Sequence, residues 1–152
     1  FSQQTAGSFW SWVGFFSLFS GPLFGALADR VSRRFALATV FAIQTVAYLL
    51  VGLQLSTHFL YLSIGCFGIV AWSIPSIMAA LAGDYAGPDK AFALFSAVTF
   101  IFAVGQAAGP FLAGMIAEQT GTFSASYLLA AALTAMAAVL ALLLPKPAAL
   151  RR

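Results

Sequence analysis

Residues 25–37 read GALADRVSRRFAL and place four charged side chains in a chain that has few charges elsewhere. The sequence on either side is apolar, because residues 1–28 and 35–83 contain no Asp, Glu, Lys or Arg. A membrane helix needs about 20 apolar residues to cross about 30 Å of hydrocarbon. The charged stretch is therefore predicted to be a loop between membrane helices.

The composition of the whole chain agrees with a membrane protein. Of its 152 residues, 7% are charged and 62% are hydrophobic, whereas a soluble domain is roughly 25% charged. This argues against a soluble enzyme, a disordered segment and a nucleic-acid-binding protein, since none could cover its surface with so few polar groups. The single cysteine, Cys66, excludes an internal disulfide, and the lone His58 makes no metal site. The sequence predicts no metal and no cofactor.

The charges leave four long apolar runs, and the run at residues 35–83 is long enough for two helices with a break near Ser56, Thr57 and His58, so five membrane helices are predicted. These cover about residues 6–27, 35–55, 60–82, 92–116 and 125–144. Helices are predicted instead of barrel strands, because polar and apolar residues do not alternate along these runs. The predicted fold class is all-α, a polytopic membrane helix bundle that forms one domain over residues 1–152.

The positive charges all fall on one predicted side of the membrane. With five spans, the loops at residues 28–34 and 83–91 share a side with the tail at residues 145–152. That side holds every Lys and Arg: Arg30, Arg33, Arg34, Lys90, Lys146, Arg151 and Arg152. The positive-inside rule then predicts that the basic loops and the C-terminal tail are cytoplasmic. Phe1 is not a start methionine and is predicted to lie outside, so we expect at least one span upstream; a self-contained five-span protein is the alternative.

Glycine and proline are unevenly distributed over the predicted spans. Spans 1, 3 and 4 are rich in both, whereas span 2 has only Gly52 and span 5 has neither. Small residues let membrane helices approach closely, and proline bends them. Spans 1, 3 and 4 are therefore predicted to bend and to make close contacts, and spans 2 and 5 to be scaffold facing lipid. The alternative is that glycine content only follows packing.

The stretch at residues 25–37 closely resembles motif A of the major facilitator superfamily (MFS), which has the pattern G-x-L-a-D-r-x-G-r-k-x-x-l. The matching residues are Gly25, Leu27, Asp29, Arg30, Arg33 and Arg34, while Ser32 replaces a glycine and predicts a different turn. The resemblance implies a gating loop that closes the cytoplasmic side in the outward-facing state. Asp29 would accept hydrogen bonds from a neighbouring helix N-terminus, and the arginines would pair with an acid such as Asp84 or with anionic lipid. Alternatively, the arginines only anchor the topology.

Span 4 is similar to motif C of the same superfamily through Gly105, Gly109, Pro110 and Gly114, with Ala113 replacing one glycine. The alternative is a proline-kinked packing helix. The superfamily has two halves of six spans, so the five spans resemble spans 8–12 or 2–6. The short basic tail and the lack of an arginine in residues 60–82 favour spans 8–12, the C-terminal half of a bacterial member. The motif C resemblance favours spans 2–6.

The resemblance implies secondary active transport of a small solute by alternating access within the lipid bilayer. Candidate solute contacts are the neutral side chains Trp72, Ser73, Thr99 and Gln106, which could equally be ordinary packing residues. The span interiors carry no acid or base, which argues against a proton pump, a protease or a metalloenzyme within these residues. Proton coupling would then come from the half that precedes them. The same absence favours the alternative function, a non-transporting MFS-like sensor or scaffold.

Overall fold

The structure is a computed structural model that describes residues 3–145 and 147, with side chains from residue 7 onward. In this part of the chain it contains six α-helices and no strand, which confirms the all-α fold class. The helices are α1 (Gln3–Arg30), α2 (Arg33–Gly52), α3 (Thr57–Val70), α4 (Ser73–Ala86), α5 (Pro88–Thr120) and α6 (Ser124–Leu143). The basic tail residues Lys146, Arg151 and Arg152 lie outside the described residues.

Five helical segments are long and apolar enough to cross a membrane. Four of them belong to α1, α2, α5 and α6, and the fifth, Thr57–Ala86, consists of α3 and α4 together. The number of membrane helices expected from the charge distribution is thus confirmed. The helices also extend beyond the predicted spans into polar residues. Helix α5 begins at Pro88 and ends at Thr120, whereas the predicted span covers about residues 92–116.

The third span is interrupted near its middle. Helix α3 ends at Val70 and α4 begins at Ser73. Pro75 lies in the first turn of α4, where its missing N–H removes no hydrogen bond from α4 itself. The same proline cannot donate to the carbonyl of Ala71, as a continuous helix would require. The sequence predicts a bend here, and the structure has a break that starts before the proline.

Helix α2 lies at the centre of the packing. It contacts α1, α3, α4 and, most extensively, α6. The α2–α6 seam is narrow: a Cβ added to Gly52 would lie 2.9 Å from the Leu128 side chain. The Thr45 hydroxyl donates to Oγ1 of Thr134 at 2.9 Å. Spans 2 and 5 are poor in glycine, but small buried alanines occur on both helices: Ala36, Ala38, Ala47, Ala131 and Ala141.

The glycine-rich spans differ from one another. On α3, Gly68 packs against α1, where an added Cβ would lie 2.8 Å from Cβ of Phe16. On α5 no residue is buried, and apart from neighbouring parts of α5 itself no described atom lies within 4 Å of a Cβ added at Gly105, Gly109 or Gly114. The prediction of close contact therefore holds for α1 with α3, whereas the glycines of α5 make no close contact within the described residues, although α5 does contact α4 and α6. A glycine allows another helix to approach closely, but its presence in the sequence does not show that a helix packs there.

The charged turns lie together at one end of the bundle, which we call the basic end. Polar contacts of Arg33, Arg34 and Tyr85 join the α1–α2 turn, the end of α4 and the residues after α6 there. The described cations at this end are Arg30, Arg33, Arg34 and Lys90. Gly87 has a φ of 73°, which favours glycine and allows the tight turn between α4 and α5.

Candidate functional site

Arg33 at the basic end joins three helices. Its Nη1 lies 2.7 Å from Oδ1 of Asp84 on α4 and donates to the carbonyl of Ala80 at 2.7 Å. Its Nη2 lies 3.7 Å from Oδ1 of Asp29 at the end of α1. The Arg33 and Asp84 side chains are 29% and 31% exposed, against 71% for Asp29. The structure therefore brings three sequence-predicted site residues together, with the stronger contact to Asp84.

The turn before Arg33 explains how a serine fits where the motif has a glycine. Ser32 is the N-cap of α2, with extended backbone and a hydroxyl that accepts from the Phe35 N–H at 3.2 Å. An N-cap serine satisfies a backbone donor that has no partner inside the helix. The turn therefore needs no glycine, and the substitution gives α2 a side-chain cap that glycine cannot supply.

The other motif residues have different surroundings. Leu27 packs against the buried core. The motif predicts close helix contact at Gly25, but apart from neighbouring parts of α1 no described atom lies within 4 Å of a Cβ added there. Arg34 donates through Nη1 to the carbonyl of Leu144 at the end of α6. Arg30 is exposed and forms no ion pair with an acid in the described part of the chain, so the three arginines differ in what they bind.

Asp29 also differs from the expectation based on the motif. The resemblance predicts a hydrogen bond from a neighbouring helix N-terminus, whereas the ion pair that Asp29 forms is with Arg33, four residues along the chain. An exposed pair at this spacing contributes about 0.3–0.5 kcal/mol. Asp29 therefore adds less to the cluster than the less exposed Asp84 does.

A second polar cluster fixes the break between α3 and α4 to α1. The backbone N–H of Trp72 donates to Oγ of Ser20 at 3.2 Å, and the Ser73 hydroxyl donates to the Ser20 carbonyl at 3.2 Å. Ser20 itself donates to the carbonyl of Ser17 at 2.8 Å. Ser20 and Ser73 are fully buried, whereas the Trp72 side chain is 65% exposed. At the break the Trp72 ring is therefore exposed, while hydrogen bonds with the buried Ser20 and Ser73 fix the backbone to α1.

The remaining predicted residues lie on α5. Thr99 and Gln106 are both exposed, and the Thr99 hydroxyl donates to the carbonyl of Phe95 on its own helix at 2.8 Å. No described hydrogen bond joins either residue to Trp72 or Ser73. The motif C-like residues of α5, including Pro110, are exposed except for half-buried Gly114. The structure therefore places the two candidate groups of solute contacts on different helices without direct polar contact.

A cavity at the opposite end of the bundle was not expected from the sequence. Its volume is about 290 Å³, and it lies between α1, α2, α3 and the start of α6. Its lining includes Trp10, Tyr48, Ser63, Phe67 and Tyr127. The aromatic residues near the ends of several apolar runs were the available signal, but such residues are also common at membrane interfaces.

Comparison with known proteins identifies a family. The family model described as "Uncharacterised MFS-type transporter YbfB" matches residues 1–142. No curated protein and no solved structure matches the chain. The family match includes all five membrane-spanning segments except the last residue of α6, and it confirms the superfamily that the loop at residues 25–37 resembles. The chain therefore belongs to the family of MFS-type transporters described by YbfB, a family of multi-pass membrane proteins with a role in transport.

Proposed function

We propose that the chain is part of a secondary active transporter that moves a small solute by alternating access, with its basic end in the cytoplasm. The observation that carries this proposal is the Arg33 cluster, in which one guanidinium binds Asp84 on α4 and approaches Asp29 on α1. The cluster lies in the loop that resembles the gating motif of the family. Charge-assisted hydrogen bonds of this kind are stronger than neutral ones.

The Arg33 cluster acts by stabilising one arrangement of helix ends. It holds the cytoplasmic ends of α1, α2 and α4 together, and this arrangement belongs to the state in which the cytoplasmic side is closed. Because the pair is only about one-third exposed, water screens it less than a surface ion pair. Loss of either Arg33 or Asp84 shifts the equilibrium away from the closed state.

The solute path runs past the break in the third span. Interrupted helices near the middle of the membrane form substrate sites in several transporter folds, because their backbone groups are free to bind. Trp72 is exposed at this break, and Pro75 leaves the carbonyl of Ala71 without its helical donor. Trp72, together with Thr99 and Gln106 on α5, contacts the solute, while buried Ser73 positions the break.

A transport assay tests this proposal in the full-length protein. Inside-out membrane vesicles are tested with labelled neutral, cationic and anionic small solutes, and at least one class is expected to show protein-dependent flux. Arg33→Gln is expected to lower that flux about fivefold, which corresponds to a shift of about 1 kcal/mol in the conformational equilibrium. The charge swap Arg33→Asp with Asp84→Arg is expected to recover part of it.

Lys90→Gln is the matched control, because it removes a cation from the same end of the bundle and Lys90 is exposed outside the cluster. Its flux is expected to equal that of the unaltered protein. Equal losses from Lys90→Gln and Arg33→Gln would mean that total positive charge matters and that the Arg33 cluster is not a gate.

A second function is favoured by one observation, the absence of charged side chains from the interiors of the five spans. Intramembrane charges commonly mark ion and proton paths, so a proton-coupled cycle would need an acid from another part of the protein. In the second function the fold serves as a non-transporting sensor or scaffold. A folded, membrane-inserted protein that moves none of the three solute classes would favour this function over transport.

A further inference from the structure

The chain leaves α6 through a short proline-containing strap, residues 144 and 145. Leu144 has φ −52° and ψ 132°, because a residue before proline is disfavoured in the helical region. Pro145 has no N–H and cannot extend the helix, so the last carbonyls of α6 need donors from elsewhere. Pro147, which follows closely, is buried. The strap itself is half-buried at Leu144 and exposed at Pro145, so contacts with other helices must hold it in place.

Two helices supply donors to consecutive carbonyls of this strap. Arg34 of α2 donates through Nη1 to the carbonyl of Leu144, and the Tyr85 hydroxyl of α4 donates to the carbonyl of Pro145. Each donor is the neighbour in sequence of a member of the ion pair between Arg33 and Asp84. The ion pair between α2 and α4 and the hydrogen bonds from each of these helices to the strap thus form a closed ring at the basic end.

We propose that this strap is a conformational lock on the cytoplasmic gate. Arg34 and Tyr85 are positioning residues: by holding the strap they keep the ends of α2 and α4 in the geometry that lets Arg33 reach Asp84. Release of the strap loosens the seam between α2 and α4 and lowers the population of the closed cytoplasmic state. The lock rests on the proposed transport function, but its effect on the seam is measurable without any solute.

The test uses accessibility of buried cysteines in the full-length protein with Cys66→Ser. Ala82→Cys reports on the basic end of α4, and Ala36→Cys is a second reporter on α2; both alanines are buried. Ala47→Cys reports on α2 towards the opposite end, where Ala47 is also buried. The protein is reconstituted in liposomes with a water-soluble maleimide on both faces of the membrane, and labelling rates are compared.

Tyr85→Phe and Arg34→Gln are each expected to raise labelling at Ala82→Cys and Ala36→Cys about fivefold, the effect of losing one hydrogen bond of average strength. Labelling at Ala47→Cys is expected to stay unchanged. The controls are Tyr61→Phe, which removes a hydroxyl from an exposed tyrosine at the opposite end, and Lys90→Gln, which removes an exposed cation. Neither control is expected to change labelling at any reporter.

Two results would overturn the lock. An equal rise at all three reporters would mean general loosening of the fold, and no rise at the basic-end reporters would mean that the strap does not hold the seam. If Arg33→Gln stops transport while the strap variants change neither labelling nor flux, the transport function stands and the lock is wrong. If the strap variants raise basic-end labelling while no solute moves, the effect of the strap on the seam between α2 and α4 stands and the transport function is wrong.

Discussion

Helices α2 and α5 are both long and apolar, yet α2 is packed among other helices of the chain and α5 is largely exposed. Helix α2 contacts four other helices and buries seven residues, whereas α5 has 33 residues and buries none. Lipid tails are as apolar as leucine, so contacts between membrane helices depend on shape and hydrogen bonding more than on hydrophobicity. Apolarity therefore predicts which segments enter the membrane, but it does not predict which of them pack against each other.

The difference between the packed helices and α5 can be tested with one substitution on each. Ile77 on α4 is 1% exposed and Ile101 on α5 is 71% exposed. Ile77→Ala is expected to lower the free energy of unfolding by about 3 kcal/mol, because it leaves a cavity in the core. Ile101→Ala is expected to cost less than about 0.5 kcal/mol. The measurement is the fraction of protein that stays monodisperse after stepwise heating in detergent; equal losses would mean that α5 is packed as tightly as α4.

Glycine gives a second test of the same difference, with a smaller expected effect. Gly68→Ala places a methyl group 2.8 Å from Cβ of Phe16 and 3.3 Å from the Val13 backbone. This overpacking is expected to cost about 2 kcal/mol, because α1 and α3 must separate. Gly109→Ala on α5 meets open space and is expected to cause no loss. The same heating series measures both variants. A large loss of stability in Gly109→Ala would mean that another part of the protein packs against α5 at this position.

The fold could be predicted from the sequence to the level of its helices. Charge-free runs between charged turns, one of them long enough for two helices, indicate five spans, because membrane helices exclude charge from their interiors. The packing could not be predicted in the same way. Buried alanines such as Ala36 and Ala131 occur on both α2 and α6, but alanine also occurs in α1, α4 and α5, so its presence does not identify a contact. Glycine was the more visible signal, and on α5 it marks no contact among the described residues.

The candidate site shows the same limit. Residues with distinctive side chains, such as Arg33 and Asp84, could be singled out because so few charges exist in the chain. The strap contacts of Arg34 and Tyr85 end on backbone carbonyls, which every residue carries, so no residue type identifies them. The break at Trp72 is an intermediate case: Pro75 predicts a distortion, but the serine that fixes it comes from α1, more than 50 residues earlier.

The smallest of the expected effects concerns this serine. Ser20→Ala removes the acceptor of the Trp72 N–H, and an unpaired backbone donor in a membrane protein costs free energy. The expected loss of stability is about 1 kcal/mol, since hydrogen bonds between membrane helices contribute modestly. Ser96→Ala on exposed α5 is the matched control and is expected to change nothing. Thermal stability measures this loss, and hydrogen exchange of the Trp72 amide locates it. Slow exchange that persists in Ser20→Ala would mean that α3 and α4 alone hold the break. Faster exchange would mean that α1 holds the broken span in place. Movement of α1 would then also move the proposed solute contact at Trp72.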